Sequence, residues 1–351
     1  VTDMRMPGMD GAELLREVMI RCPSTVRIVL SGQCDRQTAL EAVDSTHQFL
    51  TKPCDPELLI ATLIHACQLR DNLADRAYRE LVSRLTCVPS LPAAYDELIA
   101  ELNSAAPSIR RIGETFARDA GMTAKIMQLI HSSFFGPAQR ISDPVQAVSL
   151  FDVETIRALV STTAAFAPFR APDLPPAVVA QQVEHNRAVA VLAREIAIAE
   201  GRDASVVEDA YLAGLLHDVG ILVIAEHMPR SFLATLAESA CRGTPVCDVE
   251  QSSDGATHAD IGGYLAALWG LPPRVVEAIS LHHYPRRSAD REFSVLTAVH
   301  VGGVIDSNRI AGAVGAAPSM DLEYLERIGC TERLPAWREI CHSVQREGAC
   351  V

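Results

Sequence analysis

Leu215-Leu216-His217-Asp218-Val219-Gly220 closes an apolar run that begins at Val206. The run reads as a helix ending in a His-Asp pair, with Gly220 expected as its C-cap. An imidazole beside a carboxylate at a helix end, with histidines arriving from other helices, is what a divalent metal in a hydrolytic site needs. The surrounding chain supplies those histidines. His185 is read as starting a helix whose apolar stripe runs through Val189, Leu192 and Ile196. Thr257 can N-cap another, with His258, Ile261, Leu265 and Leu268 on one face and Trp269-Gly270 at its end. Pro272-Pro273 opens a further helix carrying Val275, Ile279 and His282, with His283 beside that face and Tyr284-Pro285 as the stop. His300, between Leu296 and Val304, lies on the next. One histidine on an apolar face is ordinary core packing. The same pattern on helix after helix demands partners, either a metal or each other.

The bulk composition narrows the class. With 351 residues and 48% hydrophobic content, the chain can build two or three cores. A net charge of −13 argues against a broad nucleic-acid footprint. Ten cysteines without a C-x-x-C pair read as reduced thiols of a cytoplasmic protein. Neither a membrane-spanning run nor a signal peptide is evident. The chain opens on Val1, inside what reads as a strand, so it is expected to be a fragment without its true N-terminus.

Residues 1–72 follow a different period. Thr2-Asp3-Met4-Arg5-Met6-Pro7-Gly8-Met9-Asp10-Gly11 joins a strand end to a helix opening at Gly11. Val26–Leu30 reads as a buried strand ending in Ser31-Gly32, Ala39–Val43 as a helix, and Gln48–Thr51 as a strand ending in Lys52-Pro53. Asp55 caps the helix that follows. Strands alternating with helices imply a parallel α/β sheet, with functional groups at the strand carboxyl ends. Asp3, Ser31 and Lys52 stand there.

That trio, the Asp-x-x-x-Pro-Gly-x-Asp-Gly string and the Lys-Pro pair resemble the receiver domain of bacterial response regulators, a flavodoxin-like parallel sheet. The resemblance implies that Asp3 is the phosphoacceptor, attacking a phosphoryl group to form an aspartyl phosphate. It makes Ser31 and Lys52 the phosphate contacts and Phe49 the rotating aromatic switch. It also implies Mg²⁺ in the intact receiver and a cognate histidine kinase or phosphotransfer protein as donor. The family's first strands, which carry its acidic Mg²⁺ pair, are missing from this sequence.

Residues 73–87 read as a solvated connecting helix, which could also pair with a second copy in a homodimer. Beyond Val88-Pro89-Ser90-Leu91-Pro92 the pattern is helix after helix, at 93–103, 109–120, 123–131, 144–150 and 154–167, with Thr123 expected as an N-cap. Leu91-Pro92, Asp119-Ala120-Gly121-Met122-Thr123, Ile130-His131-Ser132-Ser133-Phe134-Phe135 and 141–150 resemble the opening half of the HD-related output domain, HDOD. His131 stands where that family usually has Asn and reads as a helix-end or core contact. The order His…His-Asp…His…His-His resembles the HD superfamily of metal phosphohydrolases, an all-α fold that includes cyclic-di-GMP phosphodiesterases. By position His185, His217, Asp218, His258, His282 and His283 fall on its metal ligands, for Fe, Mn or Zn, with Asp218 bridging.

Three departures separate this chain from the catalytic branch. Ile221 replaces the Lys after His-Asp-x-Gly, the Gly-Tyr-Pro loop is reduced to Tyr284-Pro285, and His300 is read in place of the late acidic ligand. With Glu250 and Trp269-Gly270-Leu271-Pro272 they point to HDOD at residues 88–290, followed by a C-terminal helical extension at 291–351. Asp321–Ile328 and Pro335–Gln345 read as two closing amphipathic helices. The expectation is a response regulator whose phosphorylation at Asp3 controls a non-enzymatic module that binds an as yet unknown downstream protein, with no nucleic acid and no membrane. The alternative is a metal-dependent phosphohydrolase or cyclic-di-GMP phosphodiesterase.

Overall fold

Asp10 starts the first helix, α1 (Gly11–Arg21), through a capping box: its carboxylate accepts from Glu13 N at 2.8 Å and Glu13 Oε2 accepts from Asp10 N at 3.4 Å. Gly11 is required here, because a Cβ would lie 2.2 Å from the Asp3 carbonyl oxygen. Strand β1 (Ile28–Ser31) pairs in parallel with β2 (Gln48–Thr51), Ile28 opposite Gln48 and Ser31 opposite Thr51. Thr2 flanks β1 on the other side, accepting from Leu30 N at 2.8 Å and donating to Ile28 O at 3.0 Å. This is the parallel arrangement that the alternating pattern predicts.

The computed structural model describes residues 1–32, 42–73, 76–131, 141–162, 166, 168–170, 174–253, 256–310 and 316–348. Most of the helix expected over Ala39–Val43, the side chain of Ser31, and Ser132–Phe135 lie outside the described residues. The fold divides into two compact units, Val1–Phe169 with Tyr264–Leu271, and Arg170–Gly263 with Pro272–Val351. Within the described residues, no helix is long and apolar enough to cross a membrane.

The first unit holds the sheet and the helices α2 (Pro56–Asn72), α3 (Arg76–Arg84), α4 (Pro92–Leu102), α5 (Ile109–Ala117), α6 (Ala120–His131), α7 (Pro144–Ser149) and α8 (Val153–Thr162). Asp55 caps α2 as expected, accepting from Glu57 N at 2.9 Å. The solvated connecting helix is corrected. In α3 Tyr78, Val82 and Ser83 are buried, as is Leu85 just beyond, because the 4-3 spacing of Tyr78, Val82 and Leu85 turns one face inward. Arg27, at 2% exposure, and His47 both reach the Ser83 carbonyl, and Gln48 donates to Ala267 O at 2.9 Å. The expected Thr123 cap is corrected too. Thr123 lies inside α6, and Asp119 caps it instead, accepting from Met122 N and from Leu91 N at 2.8 Å each. Each Asp119 oxygen thus takes one backbone donor, Oδ1 from Met122 N and Oδ2 from Leu91 N.

The second unit is helical: α9 (Pro176–Ala199), α10 (Ala204–Leu216), α11 (Val219–His227), α12 (Pro229–Arg242), α13 (Val246–Ser253), the start of α14 (His258–Leu268), α15 (Pro273–Leu281), α16 (Val295–Ile310), α17 (Leu322–Arg327) and α18 (Leu334–Gly348). His185 therefore sits midway along α9 rather than at a helix start. The last two helices close the unit as the sequence predicts: Tyr324, Leu325, Trp337 and Cys341 are buried, and Trp337 Nε1 donates to Glu200 Oε1 at 2.9 Å.

Candidate functional sites

At the carboxyl ends of the strands, Lys52 Nζ pairs with Asp3 Oδ2, and the following Lys52–Pro53 bond is cis. Both side chains are open to solvent, at 43% and 38% exposure. The hydrogen bond from Lys52 holds the Asp3 carboxyl below its ordinary range. Phe49 is buried in β2. The backbone of Ser31 ends β1 at the same edge of the sheet. The ends of β1 and β2 and the Thr2 bridge beside them thus gather an exposed carboxylate and a lysine.

The second site is built where α10 meets α11. His217 is the C-cap of α10, and Asp218 occupies the N-cap position of α11 without a side-chain cap bond, so its carboxylate is free to face the histidines. The start of a helix also favours that negative charge. Gly220 is not a C-cap. It lies inside α11, where a Cβ would come within 2.0 Å of the His258 carbonyl oxygen. Only glycine lets α11 approach α14 this closely.

Four imidazoles share one design. The Nδ1 of His217 and of His282 donates to the carbonyl three residues back, Gly214 at 2.8 Å and Ile279 at 2.9 Å. The Nδ1 of His185 is 2.7 Å from Asp306 Oδ2, and that of His258 is 2.6 Å from Glu250 Oε2. Each outer partner occupies Nδ1 and turns Nε2 toward Asp218: His217 at 3.2 Å, His258 at 3.1 Å, His282 at 3.3 Å and His185 at 3.8 Å. Outer carboxylates and carbonyls that orient imidazoles in this way are the usual support of metal ligands. His283 Nε2 lies 2.9 Å from His258 Nε2.

The electrostatics follow from burial and from Asp218. Burial opposes the charge on Asp218, but His217, His258 and His282 around it more than offset that and hold it well below its ordinary range. Burial also opposes charge on His258, yet Glu250 and Asp218 on either side lift it to about 10. Burial pushes His282 down to about 4 and lowers His283. His258 would therefore release a proton on binding a metal, whereas His282 and His283 are already neutral ligands.

The donor set fits a divalent ion. Asp218, His258, His282 and His283 each bring a ligand atom, all within 4.8 Å of one another, and so do His185, His217 and Asp218. Imidazole with one carboxylate suits Zn, Fe or Mn. Asp218 Oδ1 and His282 Nε2 are buried without a hydrogen-bond partner, the state expected of atoms that await an ion. Asp3 is in neither group. A cavity of about 90 Å³ adjoins the cluster, lined by Gln182, His185, Asp218, Ile221, His258 and His283 among others.

His300 is not part of the cluster. Its Nδ1 donates to His282 O at 2.7 Å and its Nε2 accepts from Asp321 N at 3.1 Å, so it braces the chain behind His282. The late acid read as replaced by His300 is present one turn and a half further on, as Asp306. Its signal was an acid inside the apolar helix α16, which burial obliges to have a partner. Gln182 was missed as well: its Nε2 donates to Asp218 Oδ2 at 2.7 Å, and it precedes His185 by one turn. Glu250 was noted only as a family mark. His131 is the helix-end contact expected, its ring 2.7 Å from Ile141 O.

Compared with known families, residues 88–285 match the HDOD domain and residues 1–64 match the response regulator receiver domain. The chain is 24% identical over 203 residues to an uncharacterized protein of Treponema pallidum, covering 58% of this chain and 39% of that one. It is 35% identical over 105 residues to the hydrogenase transcriptional regulatory protein HoxA of Cupriavidus necator, covering 29% of this chain and 22% of HoxA. The chain thus spans well under half the length of these relatives. The crystal structure of the MmoQ response regulator from Methylococcus capsulatus shares the fold at a TM-score of 0.52 and 18% identity, over 72% of this chain and 97% of that one.

Proposed function

Since the chain belongs to the HDOD family, with a response regulator receiver domain ahead of its HDOD domain, it is a signal-transduction regulator, and we propose that phosphorylation of Asp3 controls a helical output module that binds another protein. A histidine kinase or phosphotransfer protein supplies the phosphoryl group. The receiver spans residues 1–72, a joint follows at 73–87, the HDOD domain at 88–290 and a helical extension at 291–351. Asp306 ties that extension to the metal site through His185.

The observation that carries the proposal is the exposed Asp3 carboxylate, paired with Lys52 at the strand carboxyl ends. A carboxylate reachable by a donor, beside a cation that can follow the new charge, is what acyl-phosphate formation needs. The test is uptake of label from a small phosphodonor with Mg²⁺, measured on the natural gene product. Label is expected on Asp3 and lost in Asp3→Asn. Equal uptake by that variant would exclude Asp3 as acceptor.

The output module acts as an adaptor around a divalent metal centre of His185, His217, Asp218, His258, His282 and His283. Ile221 lines the adjoining cavity and offers no charge to a phosphate. Cyclic-di-GMP is therefore expected to survive incubation with the protein and Mn²⁺ or Fe²⁺. Robust hydrolysis that disappears in Asp218→Ala would replace the adaptor with the enzyme.

A further inference from the structure

The two oxygens of Asp218 are treated differently, and we infer that Gln182 limits this site to a single divalent ion, held by Asp218 Oδ1 with His258, His282 and His283. The inference rests on the metal reading above and specifies its stoichiometry and place. Asp218 Oδ2 accepts from Gln182 Nε2 at 2.7 Å, and the same amide nitrogen donates to Asn186 Oδ1 at 3.0 Å. A carboxylate oxygen only accepts, so the NH₂ end of Gln182 must face it, and the orientation of the amide is fixed by its partners. Gln182, His185 and Asn186 share one face of α9 at i, i+3 and i+4. A cation drawn to His185, His217 and Asp218 Oδ2 would meet the amide protons of Gln182.

The other half of the cluster has the opposite character. Asp218 Oδ1 and His282 Nε2, both acceptor atoms once His282 Nδ1 donates to Ile279 O, are buried without a hydrogen-bond partner. His258 Nε2 and His283 Nε2 lie 2.9 Å apart beside them. On the Gln182 side, the buried atom without a partner is Asn186 Nδ2, a donor, which repels a cation. A carboxylate that bridges two ions through both oxygens gives one to each, and an amide donor held on one of them competes with an ion for that place. Here Oδ2 is engaged by an amide, whereas Oδ1 faces the Nε2 atoms of His258 at 3.1 Å and His282 at 3.3 Å. Gln182 thus acts as a positioning residue that selects a mononuclear centre.

The experiment is elemental analysis of the whole chain, loaded with Mn²⁺, Fe²⁺ or Zn²⁺ and desalted, with circular dichroism to confirm the fold of each variant. Wild type is expected to retain one ion per chain, His282→Ala none, and His185→Ala one. Gln182→Glu, which puts an anionic acceptor where the donor stood, is expected to retain two. Gln182→Ala, which only removes the donor, is the second variant and should rise above one ion at saturating metal. Two ions in wild type, or one ion in both Gln182 variants, overturns the role of Gln182. An ion that survives His282→Ala but leaves with His185→Ala overturns its placement. No ion in wild type overturns the metal reading itself, which is a separate failure.

Discussion

Two buried polar networks lie in the two units, and they end differently. In the first unit, Arg27 Nε donates to Ser45 O at 2.7 Å, Nη1 to Thr25 O at 3.3 Å and Nη2 to Ser83 O at 2.6 Å. His47 Nδ1 accepts from Arg27 N at 3.0 Å, which places its proton on Nε2, facing Ser83 O at 3.1 Å. Nε, Nη1 and Nη2 of Arg27 and Nε2 of His47 thus each reach a carbonyl. In the second unit, the imidazoles around Asp218 finish on carbonyls or acids only through Nδ1. Their Nε2 atoms converge on one carboxylate and leave acceptor atoms open. A closed network holds a fold together, and one that is open toward its own centre is arranged for a ligand.

The largest effect expected is at Asp218. Asp218→Ala takes the shared carboxylate from the Nε2 atoms of His217, His258 and His282, which should cost about 1–3 kcal/mol for each buried group left unpaired. It should also remove all bound metal. Denaturant unfolding and elemental analysis check both. A loss near zero would mean that Asp218 is not the hub of the cluster, and the contrast with the Arg27 network would fail.

Metal removal separates the networks directly. An ion present at 100 times its dissociation constant stabilises the fold by about 2.7 kcal/mol. A chelator should therefore lower the melting temperature of wild type and of His47→Gln alike. It should leave His282→Ala unmoved, whereas His217→Ala, whose imidazole lies outside the ion's ligands, should still respond, from a starting stability already lower by about 1–3 kcal/mol through unpaired neighbours. A chelator without effect on wild type would make the second network as closed as the first.

The pH response marks the closed network. Burial, and then the charge of Arg27, push His47 down to about 3 from an ordinary 6.5. Below pH 6.5 the unfolded chain takes up a proton that the folded one refuses until about pH 3. The contribution of His47 is thus fully present above pH 6.5 and is lost as pH falls through that window, by about 1 kcal/mol per pH unit. Unfolding curves between pH 6.5 and 4.5 should be steeper in pH for wild type than for His47→Gln. Equal slopes would show that His47 carries a proton inside the fold.

The same contrast explains what could be read from the chain. The Asp218 cluster was legible because histidine is rare on apolar helix faces and recurs here at helix ends, where residues such as His217 and His282 are fixed by local geometry. The strand ends at Asp3 and Lys52 were legible because a strand-to-loop switch is written in consecutive residues. The Arg27 network was not. Arg27 sits just before β1 in the run Val-Arg-Ile-Val-Leu, and its partner Ser83 contributes only a carbonyl to it, which every residue has. The solvated α3 failed for that reason: its charges are visible in sequence and its acceptor role is not. Asp306 and Gln182 were missed because their partners are 121 and 36 residues away, a separation that helix periodicity does not encode.

The smallest effect on stability is expected where the function is proposed to be switched. Lys52 and Asp3 pair in the open, where solvent screening leaves an ion pair about 0–1 kcal/mol at most. Lys52→Ala should therefore unfold almost as wild type does. Because Lys52 keeps the Asp3 carboxyl ionised to lower pH, its loss should raise the pH below which Asp3 stops accepting label from a phosphodonor. It should also blunt any change that phosphorylation produces in partner binding, since no cation remains to follow the new charge. Folding and response are thus predicted to part company at this residue, whereas at Asp218 metal and stability are lost together. A Lys52→Ala protein that is insoluble, or that responds to phosphodonor as wild type does, would make the pair at the strand ends another closed, structural contact.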